Sequence, residues 1–345
     1  MGRSADMFDR ACGALAGVAL GDALGMPSQT LTRAEIRAHY GRIAGFVAPI
    51  DDHPVSHGLN AAQVTDDTEQ TLLLAARLVS GQGEIDNDSW ARDLLDWESD
   101  VQARGLRDLL GPSSKAALED LLSGTPATET GRAGTTNGAA MRIAPVGIAT
   151  PSTPLLPLID RVEDACRLTH NTGDAIAAAS AVAAMISSGL EGMDFDAALA
   201  VAIAAAAEGQ RRGHTIAAHD IGELVSQAVR IADANVSEET LAREIGTTVA
   251  SHHSVPAAFG VVRLAGADPW KSGLIAANIG DDTDTIGAIA CAMAGACSGL
   301  SAFPQEAVTA LFEANSLSID TTARSLLELR GTVVSRRHLA EERAI

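Results

Sequence analysis

The chain has 345 residues, 46% of them hydrophobic and 20% charged, with a formal net charge of −19. So acidic a balance argues against a surface that tracks phosphates, and therefore against nucleic-acid binding, while it suits metal cations. The longest apolar runs, such as "AIAAASAVAAMI" from 175, span about a dozen residues where a membrane span requires roughly 20, so no membrane association is expected and these runs read as core helices.

Taken in chain order, "ACGALAGVALGDALG" is the first predicted helix. Gly13, Gly17, Gly21 and Gly25 recur in it at a spacing of four, and each would cost roughly 1 kcal/mol against Ala in an exposed helix. Close approach of a second helix is the expected compensation. The stretch mimics a signal-peptide core, but Asp6 and Asp9 precede it and Asp22 interrupts its end, which points to a cytoplasmic protein. Breaks follow at 44 to 63, at "GTPATETGRAGTTNG" from 124 to 138 and at "TPSTPLLP" from 150 to 157; these are expected to be surface or site-forming loops.

Between the breaks, "TLLLAARLV", "AIAAASAVAAMISSG", "FDAALAVAIAAAAEG", "IGELVSQAVRIADA" and "TIGAIACAMAGA" combine strong helix formers with apolar recurrence at three and four residues. Alternating β-branched and aromatic runs are nearly absent. The expected fold is all-α, a compact multi-helix bundle forming one domain over 1–345, with thin Ala and Gly layers because only 3% of residues are aromatic. Cys12, Cys166, Cys291 and Cys297 form no CxxC pair, and no His stands at zinc-ligand spacing, so all four read as buried thiols.

Two short segments carry the chemistry. In "VTDDTEQTLLLAARLV" from 64 and "NIGDDTDTIGAIACAMAGA" from 278, clustered Asp and Thr lie just ahead of an apolar helix. Such residues cap helices and favour the positive end of the helix dipole. Capping requires one side-chain oxygen, or two in a capping box, and each segment supplies more. If Asp66, Asp67, Asp282 and Asp284 converged without cations, like charges would meet and destabilise the fold. Carboxylate and hydroxyl ligands select hard ions, Mg²⁺ or Mn²⁺, and four carboxylates allow two of them. A pair about 3.5 to 4 Å apart suits binding a diol or activating a water.

These segments, with "GALAGVALGDALG" at 13, "TTNGAAMRIAPVGI" at 135 and "TH" at 169, occur in the order seen in the ADP-ribosylglycohydrolase family, which the chain resembles over most of its length. The resemblance implies an orthogonal helical bundle with a binuclear Mg²⁺ or Mn²⁺ centre. It implies Thr65, Asp66, Asp67, Asp282, Asp284 and Thr285 as metal ligands, with Asp66, Asp67 and Gln29 the candidate catalytic groups. Asn137, Gly138, Ala139, Met141 and His170 are the implied substrate contacts. Arg142 is either a phosphate contact or a structural ion pair, and His170 has a core-histidine alternative. Asp281 stands where the family usually has Gly and is expected to support its neighbours.

The chain departs from the family pattern in two places. "GDALGMPSQ" ends in Gln29 where the family has a Glu, and Gln cannot ionise, so a ligand carboxylate or a metal-bound hydroxide would have to serve as base. "LLGPSSKAAL" has Gly111, Pro112 and Ser113 where the dinitrogenase-reductase enzymes carry an acid. The expected activity is hydrolysis of a glycosidic bond at C1 of ribose, in a small-molecule or ADP-ribosylated substrate, by a monomer or weak homo-oligomer. The alternatives are a nucleoside hydrolase with the same centre and a catalytically silent, crystallin-like ADP-ribose binder.

Overall fold

A computed structural model describes residues 3–106, 109–217 and 219–343, with side chains described for 6–106, 109–217 and 219–332. Its α-helices, in chain order, begin with α1 (Arg3–Gly25), α2 (Arg33–Tyr40), α3 (Asp66–Ser80), α4 (Asn87–Ala103), α5 (Pro112–Leu122) and α6 (Gly138–Met141). They continue through α7 (Ala144–Ala149), α8 (Leu155–Cys166), α9 (Gly173–Leu190), α10 (Phe195–Gly209), α11 (Ile221–Asp233) and α12 (Glu238–Ile245). The last are α13 (Ser251–Leu264), α14 (Pro269–Ile279), α15 (Thr283–Ser298), α16 (Gln305–Asn315) and α17 (Asp320–Arg343). Among the described residues the only extended pairing is two isolated bridges, Thr136 with Ala250 and Thr172 with His214. The all-α expectation holds.

Two helices form the centre. All 18 residues of α9 are buried, as are residues 283–296 of α15. The apolar segment that reads as about a dozen residues in sequence is thus an 18-residue helix, long and apolar enough to cross a bilayer but enclosed by protein. α1, α13 and α14 pack around α15, while α6, α7, α8 and α10 pack around α9. Ala and Gly dominate these faces, so helix axes approach closely and a continuous buried cluster runs from Ala11 to Leu326.

The glycine spacing in α1 has the compensation expected of it. A Cβ on Gly13 would meet the Gly295 carbonyl oxygen at 2.5 Å, and one on Gly17, Gly21 or Gly25 would strike the backbone of Cys291, Gly287 or Thr283. The partner number falls as the α1 number rises, so the helices run antiparallel with backbones in contact, an approach open only to residues without a Cβ. The C-terminal half of α1, with Asp22, therefore lies against the first turn of α15, with Asp284.

Cys12, Cys166 and Cys291 are buried free thiols, as expected, whereas Cys297 is only half-buried. Burial pushes the Cys12 and Cys166 thiols up to about 12.

Candidate active site

The acidic centre is assembled from three helix ends. Asp22, on α1, is wholly buried, and its carboxylate accepts bonds from the Thr65 backbone N–H at 2.9 Å and the Thr65 hydroxyl at 2.7 Å. It also accepts from the Thr68 hydroxyl at 2.5 Å and the Thr68 N–H at 3.2 Å. Asp22 thus takes up the donors at the start of α3, and Thr65, although it is the N-cap residue, makes no side-chain cap bond. Asp282 is the N-cap residue of α15 and likewise makes none. Simple capping does not account for either cluster.

The second cluster is set by a pair of strained turns. Thr30 (φ 64) and Asp281 (φ 62) both adopt the left-handed region that disfavours side chains. They are clamped back to back, with Thr30 N–H donating to the Asp281 carbonyl at 2.7 Å and Asp281 N–H to the Leu31 carbonyl at 2.9 Å. This clamp fixes Gln29 on one side and Asp282 on the other. Asp281 itself is exposed and its carboxylate accepts from the Thr247 hydroxyl at 3.0 Å, a supporting position rather than a place among the buried acids.

Electrostatics show the convergence. Burial pushes Asp22 and Asp282 up to about 6. Asp66, Asp67 and Asp284 are raised well above the usual carboxylate range, first by burial and then by one another: Asp22 acts on Asp66, Asp284 on Asp67, and Asp282 on Asp284. Asp67 and Asp284 are 1% and 3% exposed, while Asp66 and Asp282 are partly exposed and form the open side. Among the described residues none of these five acids forms an ion pair with Lys or Arg, and Asp67 Oδ1 and Asp284 Oδ1 are buried without a hydrogen-bond partner.

Burying like charges uncompensated is costly, so orphaned carboxylate oxygens call for a counter-ion or protons. The donor set is all oxygen, carboxylates with the hydroxyls of Thr65 and Thr285 beside them, which fits a hard divalent cation. Thr285 is 5% exposed, and its side chain lies near enough to Asp282 to favour the ionised carboxylate. All six ligand positions inferred from sequence therefore lie at this centre.

The implied substrate contacts divide. Asn137 Nδ2 donates to Asp282 and, at 2.8 Å, to Ser254 Oγ, which puts its amide at the acidic rim. Gly138 backs onto His170: a Cβ there would come within 2.9 Å of the imidazole Cε1. His170 is wholly buried, with Nε2 3.0 Å from Thr136 Oγ1 and Nδ1 2.7 Å from Thr169 Oγ1, and burial drives its pKa well down. A neutral imidazole with both nitrogens engaged supports the loop from beneath. Ala139 and Met141 are 2% and 6% exposed.

Arg142 donates to Gln70 Oε1 and Thr169 Oγ1, each at 2.6 Å, and lies 5.3 Å over the Trp90 ring. Burial pushes its pKa down to about 10. It is a structural tie, held by neutral oxygens and a ring face. Gln29, 9% exposed, donates to Ser56 Oγ at 3.0 Å, so its amide joins the 44–63 loop to the acidic turn. The surface cavity of about 460 Å³ lined by Arg33, Arg37, Arg42, Asn235 and Glu238 contains none of the acids.

The profile of the ADP-ribosylglycohydrolase family matches residues 3–336. The chain belongs to the ADP-ribosylglycohydrolase family. Membership makes it a glycohydrolase, an enzyme of glycosidic-bond hydrolysis. It is 36% identical over 326 residues to the uncharacterized protein YegU of Escherichia coli (strain K12), covering 93% of this chain and 97% of that one. It is 29% identical to the ADP-ribosylarginine hydrolase Tri1 of Pseudomonas putida, covering 87% of this chain and 73% of that one. A solved ADP-ribosylglycohydrolase-related protein complex superposes with a TM-score of 0.68 at 25% identity, covering 94% of this chain and 99% of its own.

Asp22 is the member of the acidic centre that sequence reasoning missed. Its signal was a lone acid inside a Gly-rich apolar helix, read only as a break in a signal-peptide core.

Proposed function

We propose that the protein is a divalent-cation-dependent hydrolase that cleaves the bond between C1 of ribose and a leaving group, with ADP-ribosyl conjugates as its substrates. The observation that carries this reading is the cluster of Asp22, Asp66, Asp67, Asp282 and Asp284, with buried orphaned oxygens on Asp67 and Asp284 and no basic partner among the described residues. Thr65, Asp66, Asp67, Asp282, Asp284 and Thr285 would hold two Mg²⁺ or Mn²⁺ ions. When bound, such ions supply Lewis acidity and an activated water.

The protein's own residues do the rest. Asp66 and Asp282, on the open side, meet the substrate first. Asn137, fixed between Asp282 and Ser254, offers an amide to the ribose hydroxyls. Cleavage at C1 develops oxocarbenium-like positive charge, which an acidic ring stabilises. Gln29 orients without ionising, so proton removal falls to a ligand carboxylate, Asp66 or Asp67.

The test is ADP-ribose release from ADP-ribosylated arginine, serine and small conjugates, with Mg²⁺, with Mn²⁺ and with chelator. Release that needs a divalent ion is the expected result. Free base from nucleosides with no turnover of ADP-ribosyl conjugates would assign the alternative hydrolase activity. Tight ADP-ribose binding without cleavage under every condition would show a silent binder, whereas Gln29→Glu raising turnover would show a weakened enzyme.

A further inference from the structure

A second group of ligand-type side chains stands apart from the acidic centre. Asp174, in the first turn of α9, His219, just before α11, and His252, in the first turn of α13, place one carboxylate oxygen and two imidazole nitrogens within 4.8 Å of one another. No spacing pattern in the sequence joins them; the fold does. We propose that Asp174, His219 and His252 form a binding site for one borderline-soft divalent ion of the zinc and cobalt class, separate from the hard-cation centre.

The carboxylate is held in place. Asp174 is 2% exposed, Gln210 Nε2 donates to its Oδ1 at 2.8 Å, and its Oδ2 lies 2.6 Å from His219 Nδ1. A ligating oxygen anchored through its other oxygen is the arrangement that tunes metal sites. The His219 and His252 rings stack at 3.7 Å with planes 10° apart, so their in-plane nitrogen lone pairs run in parallel planes and the rings must turn for both to reach one ion. Both histidines are only partly buried, which leaves their rings room to turn toward a common ion. Zinc-to-ligand bonds of about 2.0 to 2.1 Å put tetrahedral ligand atoms roughly 3.4 Å apart, so an ion would part the Asp174–His219 hydrogen bond, now 2.6 Å, while drawing the wider-spaced atoms in.

Two imidazoles and one carboxylate leave a fourth position for water, and nitrogen donors favour zinc or cobalt over magnesium. The ion would cross-link three segments, two of which carry the Asn137 loop. At the start of α13, Ser251 Oγ donates to the Thr136 carbonyl at 2.7 Å and Ser251 N–H to the Thr135 carbonyl at 3.1 Å. Just ahead of α9, the Thr172 hydroxyl donates to the Gly134 carbonyl at 2.6 Å. A bound ion braces this wall.

The test uses the full chain, stripped with chelator and dialysed into excess Mg²⁺ to fill the hard-cation centre, then titrated with Co²⁺. One equivalent should give the visible absorption of four-coordinate cobalt, Zn²⁺ should abolish it, and the Asp67→Asn/Asp284→Asn variant should keep it. His219→Ala and His252→Ala should each weaken cobalt binding about a hundredfold, the upper end of what loss of even a supporting group costs. No such absorption in the wild type, undiminished absorption in the His219→Ala/His252→Ala variant, or its loss in the aspartate variant overturns the proposal. In the wild type itself, one equivalent of Zn²⁺ should shift the imidazole NMR signals of His219 and His252, and signals that stay in place overturn it whatever the variants do.

Discussion

The acidic centre and the histidine cluster lie on two sides of the Asn137 loop and are built by different rules. Asp66 with Asp67, and Asp282 with Asp284, come from compact stretches of sequence, are gathered at the first turns of α3 and α15, and have no basic partner among the described residues. Asp174, His219 and His252 come from three distant segments, the two histidines are partly open to solvent, and the three already satisfy one another by a hydrogen bond and a ring stack. Carboxylates in excess demand a cation for the fold to be comfortable, whereas an Asp–His pair is stable without one. The first group therefore couples ion binding to stability and the second does so weakly.

The largest expected effect breaks the first side alone. Asp67→Asn or Asp284→Asn removes a ligand, and glycohydrolase turnover should fall about a hundredfold or more, measured as ADP-ribose release. Gly21→Ala comes next. Its methyl group would drive into the Gly287 backbone and part α1 from α15, costing about 1 to 3 kcal/mol or more in thermal unfolding and displacing Asp22 from Asp284. The histidine cluster, on other helices, should keep its geometry, visible as unchanged histidine NMR signals.

A smaller effect is the pH dependence of the cation-free protein. Asp22 and Asp282 have folded pKa values raised from 3.8 to about 6, so the folded state binds more protons than the unfolded one between those values. Their contribution is intact below about pH 4 and is lost as pH rises through about 6. In chelator the melting temperature should fall across that window, and saturating Mg²⁺ should remove the fall by neutralising the ring. The smallest effect is expected at Asp281→Gly. Relief of a left-handed side chain, worth about 1 kcal/mol, offsets loss of the Thr247 hydrogen bond, worth about 1 kcal/mol, so stability should change by less than either in denaturant unfolding.

The fold and the two acidic clusters could be read from the sequence for local reasons. Helix periodicity is carried by neighbours, and "TDDT" and "DDTDT" display their surplus of oxygens side by side. The close approach of α1 to another helix was legible as glycines at a spacing of four, although neither the partner, α15, nor its antiparallel direction was. Asp22 was not legible as a partner of Thr65 and Thr68, because that bond joins residues whose proximity only the α1–α15 contact creates. The Asp174, His219 and His252 grouping lay out of reach for the same reason. The strained pair of Thr30 and Asp281 hid as well, since each turn looks ordinary until the other clamps it.

The central claim is that divalent cations neutralise the buried carboxylate ring. Anomalous diffraction from crystals grown with Mn²⁺ tests it most directly. The account predicts manganese peaks bounded by Asp66, Asp67, Asp282 and Asp284, within bonding distance of the Asp67 and Asp284 oxygens that otherwise lack partners. A ring empty of manganese at millimolar concentration, with those oxygens protonated or bonded to one another, would contradict it.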